Sequence, residues 1–168
     1  MNIDLALLVL RIAIGVVVIP HGLLKVGVVG KGGSIAGVGG WFNGMGLRPG
    51  VFWAYVATLA EIVGGALTAV GLGGPLGPGI VAADLVVVTV VAHLPKGFWA
   101  NQGGWEFPVP LAAGAFAVAL IGNGHWSLDT LVGIGFPDWL LPAWAALMVA
   151  GIVLALASRA MYAPKVAG

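Results

Sequence analysis

The chain has 168 residues, 60% of them hydrophobic and 8% charged, with a formal net charge of +1 and a mean hydropathy of +1.08. Soluble domains carry charge on about a quarter of their residues, so most of this chain belongs in a bilayer, and its few scattered basic residues exclude nucleic acid as a partner. The absence of cysteine excludes disulfides, thiolate metal sites, iron–sulfur ligation by this chain and thiol redox chemistry.

The first apolar window is Leu5–Leu24. Its flank, Met1 to Asp4, holds no Lys or Arg, and no small-residue cleavage site follows, so a retained helix is expected rather than a cleaved signal. The glycine-rich stretch Lys25–Gly50 contains one helical signal. Ser34 can cap a short helix over residues 34–46, in which Ile35, Val38, Trp41, Phe42 and Met45 recur at helical spacing, an amphipathic segment suited to the cytoplasmic interface. The second window, Val51–Leu72, holds Glu61 with no other charge beside it. A carboxylate in a span is costly and normally faces a bundle interior or a partner group.

Further windows fall at Gly77–Leu94, Pro108–Gly122 and Trp139–Ser158. The fourth is short, and Pro108 and Pro110 fit only its first turn. Trp53, Trp99, Trp105, Trp126 and Trp139 lie near window ends, as an interfacial belt predicts. The pattern predicts an all-α polytopic transmembrane bundle of five helices. With five spans, Lys25, Lys31, Arg48, Lys96, Arg159 and Lys165 share one side, which the positive-inside rule makes cytoplasmic, leaving the N-terminus outside and the C-terminus inside. The small-residue pairs Ala60/Gly64 and Ala146/Ala150 point to close helix packing.

Five stretches carry a family signature: LRIAIGVVVIPHGLLKV (Leu10–Val26), FNGMGL (Phe42–Leu47), LAEIVGGAL (Leu59–Leu67), AHLPKGFWANQGGWEFP (Ala92–Pro108) and WSLDTL (Trp126–Leu131). With an HGxxK end to the first helix, a Glu in the second and an HLPxGF hairpin, the sequence resembles the DoxX family of small bacterial membrane proteins. The resemblance implies a four-helix membrane core, over residues 1–132, in the bacterial inner membrane. Some relatives are small subunits of quinone-linked oxidoreductase complexes, which implies other membrane subunits as partners. The fifth segment, in residues 133–168, departs from that pattern. It adds a packing surface, and its stripe of Ala143, Ala146, Ala150 and Gly151 could dock a partner or the protein's own bundle.

Counting depth from each helix end groups the polar residues in layers. Arg11 and Asp84 fall at matching depth from the external side, an expected ion pair between the first and third helices. Glu61 is then left without a cation, and a neutral carboxyl there could donate a hydrogen bond. His21, Lys25, His93 and Glu106 gather at the cytoplasmic end above it. Those five residues could line a pocket in which His21, Glu61 or His93 donates to the carbonyls of a quinone. Alternatively, His21, Lys25, His93 and Glu106 form an interfacial hydrogen-bond network stapling the helix ends. A haem between the two histidines lacks any other mark, and a metal site lacks HxxxH or HExxH spacing. His125 and Asp129, in the external loop, are explained by capping from Ser127 and by solvation. No covalently bound cofactor is expected. The preferred reading is a subunit of a quinone-linked membrane assembly that is not catalytic alone; the alternatives are a non-catalytic accessory subunit and a small-molecule carrier.

Overall fold

The computed structural model describes residues 3–30 and 33–164, and within them the chain is helical without a strand. Helix α1 spans Ile3–Lys25 and carries Pro20 inside it. Helix α2, Ile35–Gly44, starts where Ser34 Oγ accepts the Gly37 N–H at 3.1 Å, the cap expected from sequence. Helix α3, Gly50–Val70, contains a π-helical turn at Ala60–Gly64 and stops at Gly71, whose φ of 68° supplies the left-handed cap. Helix α4, Leu76–Lys96, has its own π turn at Thr89–His93 and a final 3-10 turn. Helices α5 (Pro108–Ile121), α6 (Leu128–Leu131) and α7 (Leu140–Tyr162) follow.

Four helices, α1, α3, α4 and α7, are long and apolar enough to cross a membrane. Helix α5, with 14 residues, is about 21 Å long and falls short of a hydrocarbon core of about 30 Å. The fourth window is therefore a helix of less than full span length. Proline fixes its start, and Gly122, at φ 96°, ends it.

Helices α1, α3, α4, α5 and α7 alternate in direction along the chain, so that α4 and α7, separated by the shorter α5, run parallel. At one end of the bundle His125 meets Asp4, Asp129 binds Gly73 and Gly74, and the Trp144 indole donates to Leu76 O. At the other end Ser158 holds the loop before α3 and Arg159 reaches α4. Lys25, Arg48, Lys96 and Arg159 thus share one end of the molecule, while Lys31 and Lys165, grouped with them by sequence, lie outside the described residues.

Glycine sets how closely α1 and α3 approach. A Cβ on Gly22 would stand 2.5 Å from Ile62 Cγ1, and one on Gly65 would stand 2.6 Å from Val18 Cγ2, so larger residues would drive the helices apart. Leu7, Ile14, Val18, Val81, Leu85 and Val118 fill the centre between α1, α4 and α5. Phe42, Leu47, Ala54, Val91 and Ala155 tie α2, α3, α4 and α7 together. The Gly64 contact anticipated from sequence is present, packed against Ile80 and Val81 of α4.

Helix α7 lies on the protein's own bundle by a narrow face, with Ala155 and Ser158 buried. A defect in α4 explains its anchor. The Leu94 N–H bonds Thr89 O across the π turn, and Pro95 has no N–H, which leaves the Val90 carbonyl free. The Arg159 guanidinium fills that vacancy. Ser158 Oγ accepts the Arg48 N–H at 2.9 Å, with Gly46 O and Arg48 O also in hydrogen-bond reach of the hydroxyl. The Ala143, Ala146 and Ala150 stripe faces away from these contacts and is exposed.

Candidate functional site

Glu61 occupies the π turn of α3 directly opposite Gly22. Because Gly22 has no side chain, α1 comes close enough for the Lys25 ammonium, nearly one turn further along, to bind the Glu61 carboxylate. Side-chain exposures of 17% for Lys25 and 11% for Glu61 place the pair within protein. This corrects the reading of Glu61 as an unmatched carboxyl. Lys25 is not part of a separate layer at the helix end; its long stem lets the charge reach back to the π turn.

The unmatched carboxyl is Asp84. Gly64 packs on Ile80 and Val81, so Asp84, about one turn beyond them, comes level with Glu61 and lies within electrostatic reach of both Glu61 and Lys25. Among the described residues Asp84 makes no hydrogen bond or ion pair. The expected Arg11–Asp84 pair is therefore corrected as well. Arg11 stands beside Gly71, at the far end of α3, and its guanidinium donates to Trp126 O and, at 3.5 Å, to Ala69 O. Gly71 and Glu61 are ten residues apart on the chain, roughly 15 Å along a helix. Equal counts from two helix ends gave equal depth only because those ends were taken as flush.

Beside Lys25 and Asp84 lies a cavity of about 510 Å³ between α3, α4 and α7, also lined by Trp41 of α2 and by Met45, which follows α2. Such a volume suits a small organic ligand, for which pockets of about 300–1,000 Å³ are usual. Its walls are almost wholly apolar, and Leu59 and Val63, which line it, are also exposed on the lipid-facing surface of α3. Trp53 is a further wall residue, and its buried indole N–H has no acceptor among the described residues. The cleft therefore combines an unmatched carboxyl with an ammonium held by one carboxylate, and one of its wall residues, Trp53, carries a buried unpaired indole N–H.

The remaining sequence candidates stand elsewhere. His21 is exposed, and its Nδ1–H donates to Val17 O of its own helix at 2.8 Å. His93 Nδ1–H donates to Gly103 O at 2.7 Å, and Glu106 Oε2 accepts the Ala100 N–H at 2.8 Å. These last two groups brace the hairpin between α4 and α5 separately, each through a backbone group, and among the described residues His21, Lys25, His93 and Glu106 do not bond one another. None of the three lines the cavity.

Asp129 is the polar residue that the sequence undervalued. It is 6% exposed, and its two carboxylate oxygens accept the N–H groups of Gly73 and Gly74, each at 2.8 Å, with Asn123 Nδ2 donating to the second oxygen at 2.8 Å. Arg11 lies within electrostatic reach of it. Ser127 caps α6 as expected, accepting the Thr130 N–H. The available signal was the glycine run Gly71–Gly74, whose backbone donors need an acceptor once the turn is buried.

Together these elements define a multi-pass helical membrane protein with a charged, laterally placed cleft inside its bundle. The DoxX family model matches residues 6–94, more than half of the chain, and the chain belongs to the DoxX family. That match covers α1 to the π turn of α4, and so includes Lys25, Glu61 and Asp84 but not the hairpin, α5, Asp129 or α7. Neither the curated proteins nor the solved structures yielded a match.

Removing one member of a buried ion pair typically costs about 3–5 kcal/mol, whereas replacing both by apolar groups can be neutral. Lys25→Met should therefore lower the thermal stability of the detergent-purified protein strongly, and adding Glu61→Leu should restore most of it. Additive losses in the double variant would show that the two side chains do not depend on each other.

Proposed function

We propose that this chain is a bacterial inner-membrane subunit of a quinone-linked oxidoreductase assembly and that it holds a quinone in the cleft between α3, α4 and α7. The observation that carries this reading is the cavity itself, apolar along its walls, with the Lys25 ammonium and the Asp84 carboxyl among its lining residues. A quinone has the matching chemistry. Its ring and isoprenoid tail favour an apolar wall reached from the lipid, and its carbonyl oxygens accept hydrogen bonds. The residues lining the cleft supply binding and orientation, and the chain has no thiol with which to pass electrons, so electrons would come from a partner subunit. The exposed outer face of α7 is the surface left for that partner.

The same reading sets the lysine- and arginine-bearing end in the cytoplasm, because Lys25, Arg48, Lys96 and Arg159 share it and the opposite end keeps only the buried Arg11 among the described residues. The N-terminus is then outside and the C-terminus inside. Reporter fusions after Gly74 and after Lys96 should read periplasmic and cytoplasmic; the reverse pattern would overturn the orientation.

Quinone should be recovered by mass spectrometry from protein purified in mild detergent. Ala83→Trp, which fills the cleft from its α4 wall, should reduce the recovered quinone several-fold, while Ala146→Trp on the exposed face of α7 should leave it unchanged. Equal quinone content in both variants would remove the cleft as its binding site.

A further inference from the structure

The charge balance of the cleft goes one step further than the choice of ligand. Lys25 is one cation facing two carboxylates, and it binds Glu61. Asp84 lines the cavity with no hydrogen-bond partner among the described residues. The other elements around it bring no further charge. From α7 the wall is Met148, Gly151 and Ile152, from α2 and the residue after it Trp41, Phe42 and Met45, and α5 packs through Leu111, Ala112 and Ala115. His21 lies within electrostatic reach of Glu61 and is not among the residues lining the cavity. A lone carboxyl in an apolar wall has two ways to be satisfied. With its proton it is a donor, and without it, an acceptor only.

A quinone and its reduced form differ in the complementary sense. The quinone offers carbonyl oxygens that only accept; the quinol offers hydroxyls that also donate. A carboxylate facing a carbonyl oxygen sets two acceptors against each other in a site with little water to intervene, and a missing complementary hydrogen bond there is heavily penalised.

We infer that the proton on Asp84 selects which redox form of the quinone the cleft holds: the protonated carboxyl donates to a quinone carbonyl, and the carboxylate accepts from a quinol hydroxyl. Asp84 is thus the residue that sets specificity in this site, while Lys25 and Glu61 fix each other and keep Asp84 the free member. No electron moves in this step; one proton is taken up from or given to solvent as one form replaces the other. The inference rests on the quinone reading above.

The test measures binding of decyl-ubiquinone and, anaerobically, of its quinol to the full-length protein in detergent by equilibrium dialysis between about pH 5.5 and 8.5. A ligand that needs the protonated carboxyl loses about tenfold in affinity per pH unit above the titration point. The ratio of quinone to quinol affinity should therefore fall roughly tenfold or more across this range in the wild type. It should be flat in Asp84→Asn, whose amide both donates and accepts at every pH, and also in Asp84→Ser, which guards against a folding defect peculiar to one variant. A flat ratio in the wild type, or an equal slope in the Asp84 variants, would overturn the role of Asp84 while leaving quinone binding intact. Failure of both forms to bind at any pH would instead overturn the quinone reading, and this inference with it.

Discussion

A carboxylate in the middle of a membrane helix is tolerated only if something compensates it, and the Lys25–Glu61 ion pair is that compensation. The pair needs two local features. Gly22 lets α1 approach the α3 backbone, and the π turn at Ala60–Gly64 carries Glu61 on the face that α1 covers. Turns of this kind are concentrated at functional sites because they reposition one side chain at the expense of regular hydrogen bonding. Once Lys25 is committed to Glu61, Asp84 on α4 is left without a cation, and the character of the cleft follows from that remainder.

The opposite end of the bundle solves a similar problem by different means. Arg11 is fully buried, yet its guanidinium spends its donors on the carbonyls of Trp126 and Ala69 rather than on a carboxylate in direct contact. Asp129 meanwhile ties down the glycine turn between α3 and α4 through backbone N–H groups. That end is a clamp that fixes where α1, α3 and α4 begin and end. Arg159 plays the corresponding part for α7, filling the carbonyl that Pro95 and the π turn leave vacant. Each of these contacts joins a charged side chain to backbone groups that the helices cannot satisfy internally, an obligation that is strongest where no water is available. The cleft is where this accounting is left open.

Much of the architecture was legible in the sequence because hydrophobic length and capping are local signals. The long helices, the Ser34-capped short helix and the alternating direction of the helices all follow from such signals. The pairing of charges was not legible, since depth counted along each helix assumes that all helices start level. Glycines at positions 15, 22 and 65 instead set α1 against α3 by contact, and the resulting stagger separates Arg11 from Asp84 and brings Lys25 to Glu61. The histidines misled for a related reason. His21 and His93 share the end of the bundle with Lys25, but each bonds a backbone carbonyl through Nδ1, Val17 O and Gly103 O respectively, and neither lines the cavity. Asp129 stood in what read as a solvated loop, and only the folded turn shows that the N–H groups of Gly73 and Gly74 converge on it.

The central claim is that Lys25 belongs to Glu61 and leaves Asp84 free. Solid-state NMR on the protein in lipid bilayers, with nitrogen-labelled lysine and carboxyl-labelled glutamate or aspartate, measures it through the dipolar coupling between side-chain nitrogen and carboxyl carbon. The account predicts a strong coupling from Lys25 to Glu61 that disappears in Glu61→Gln, and none at ion-pair distance to Asp84. A direct Lys25–Asp84 coupling in the wild-type protein would contradict it.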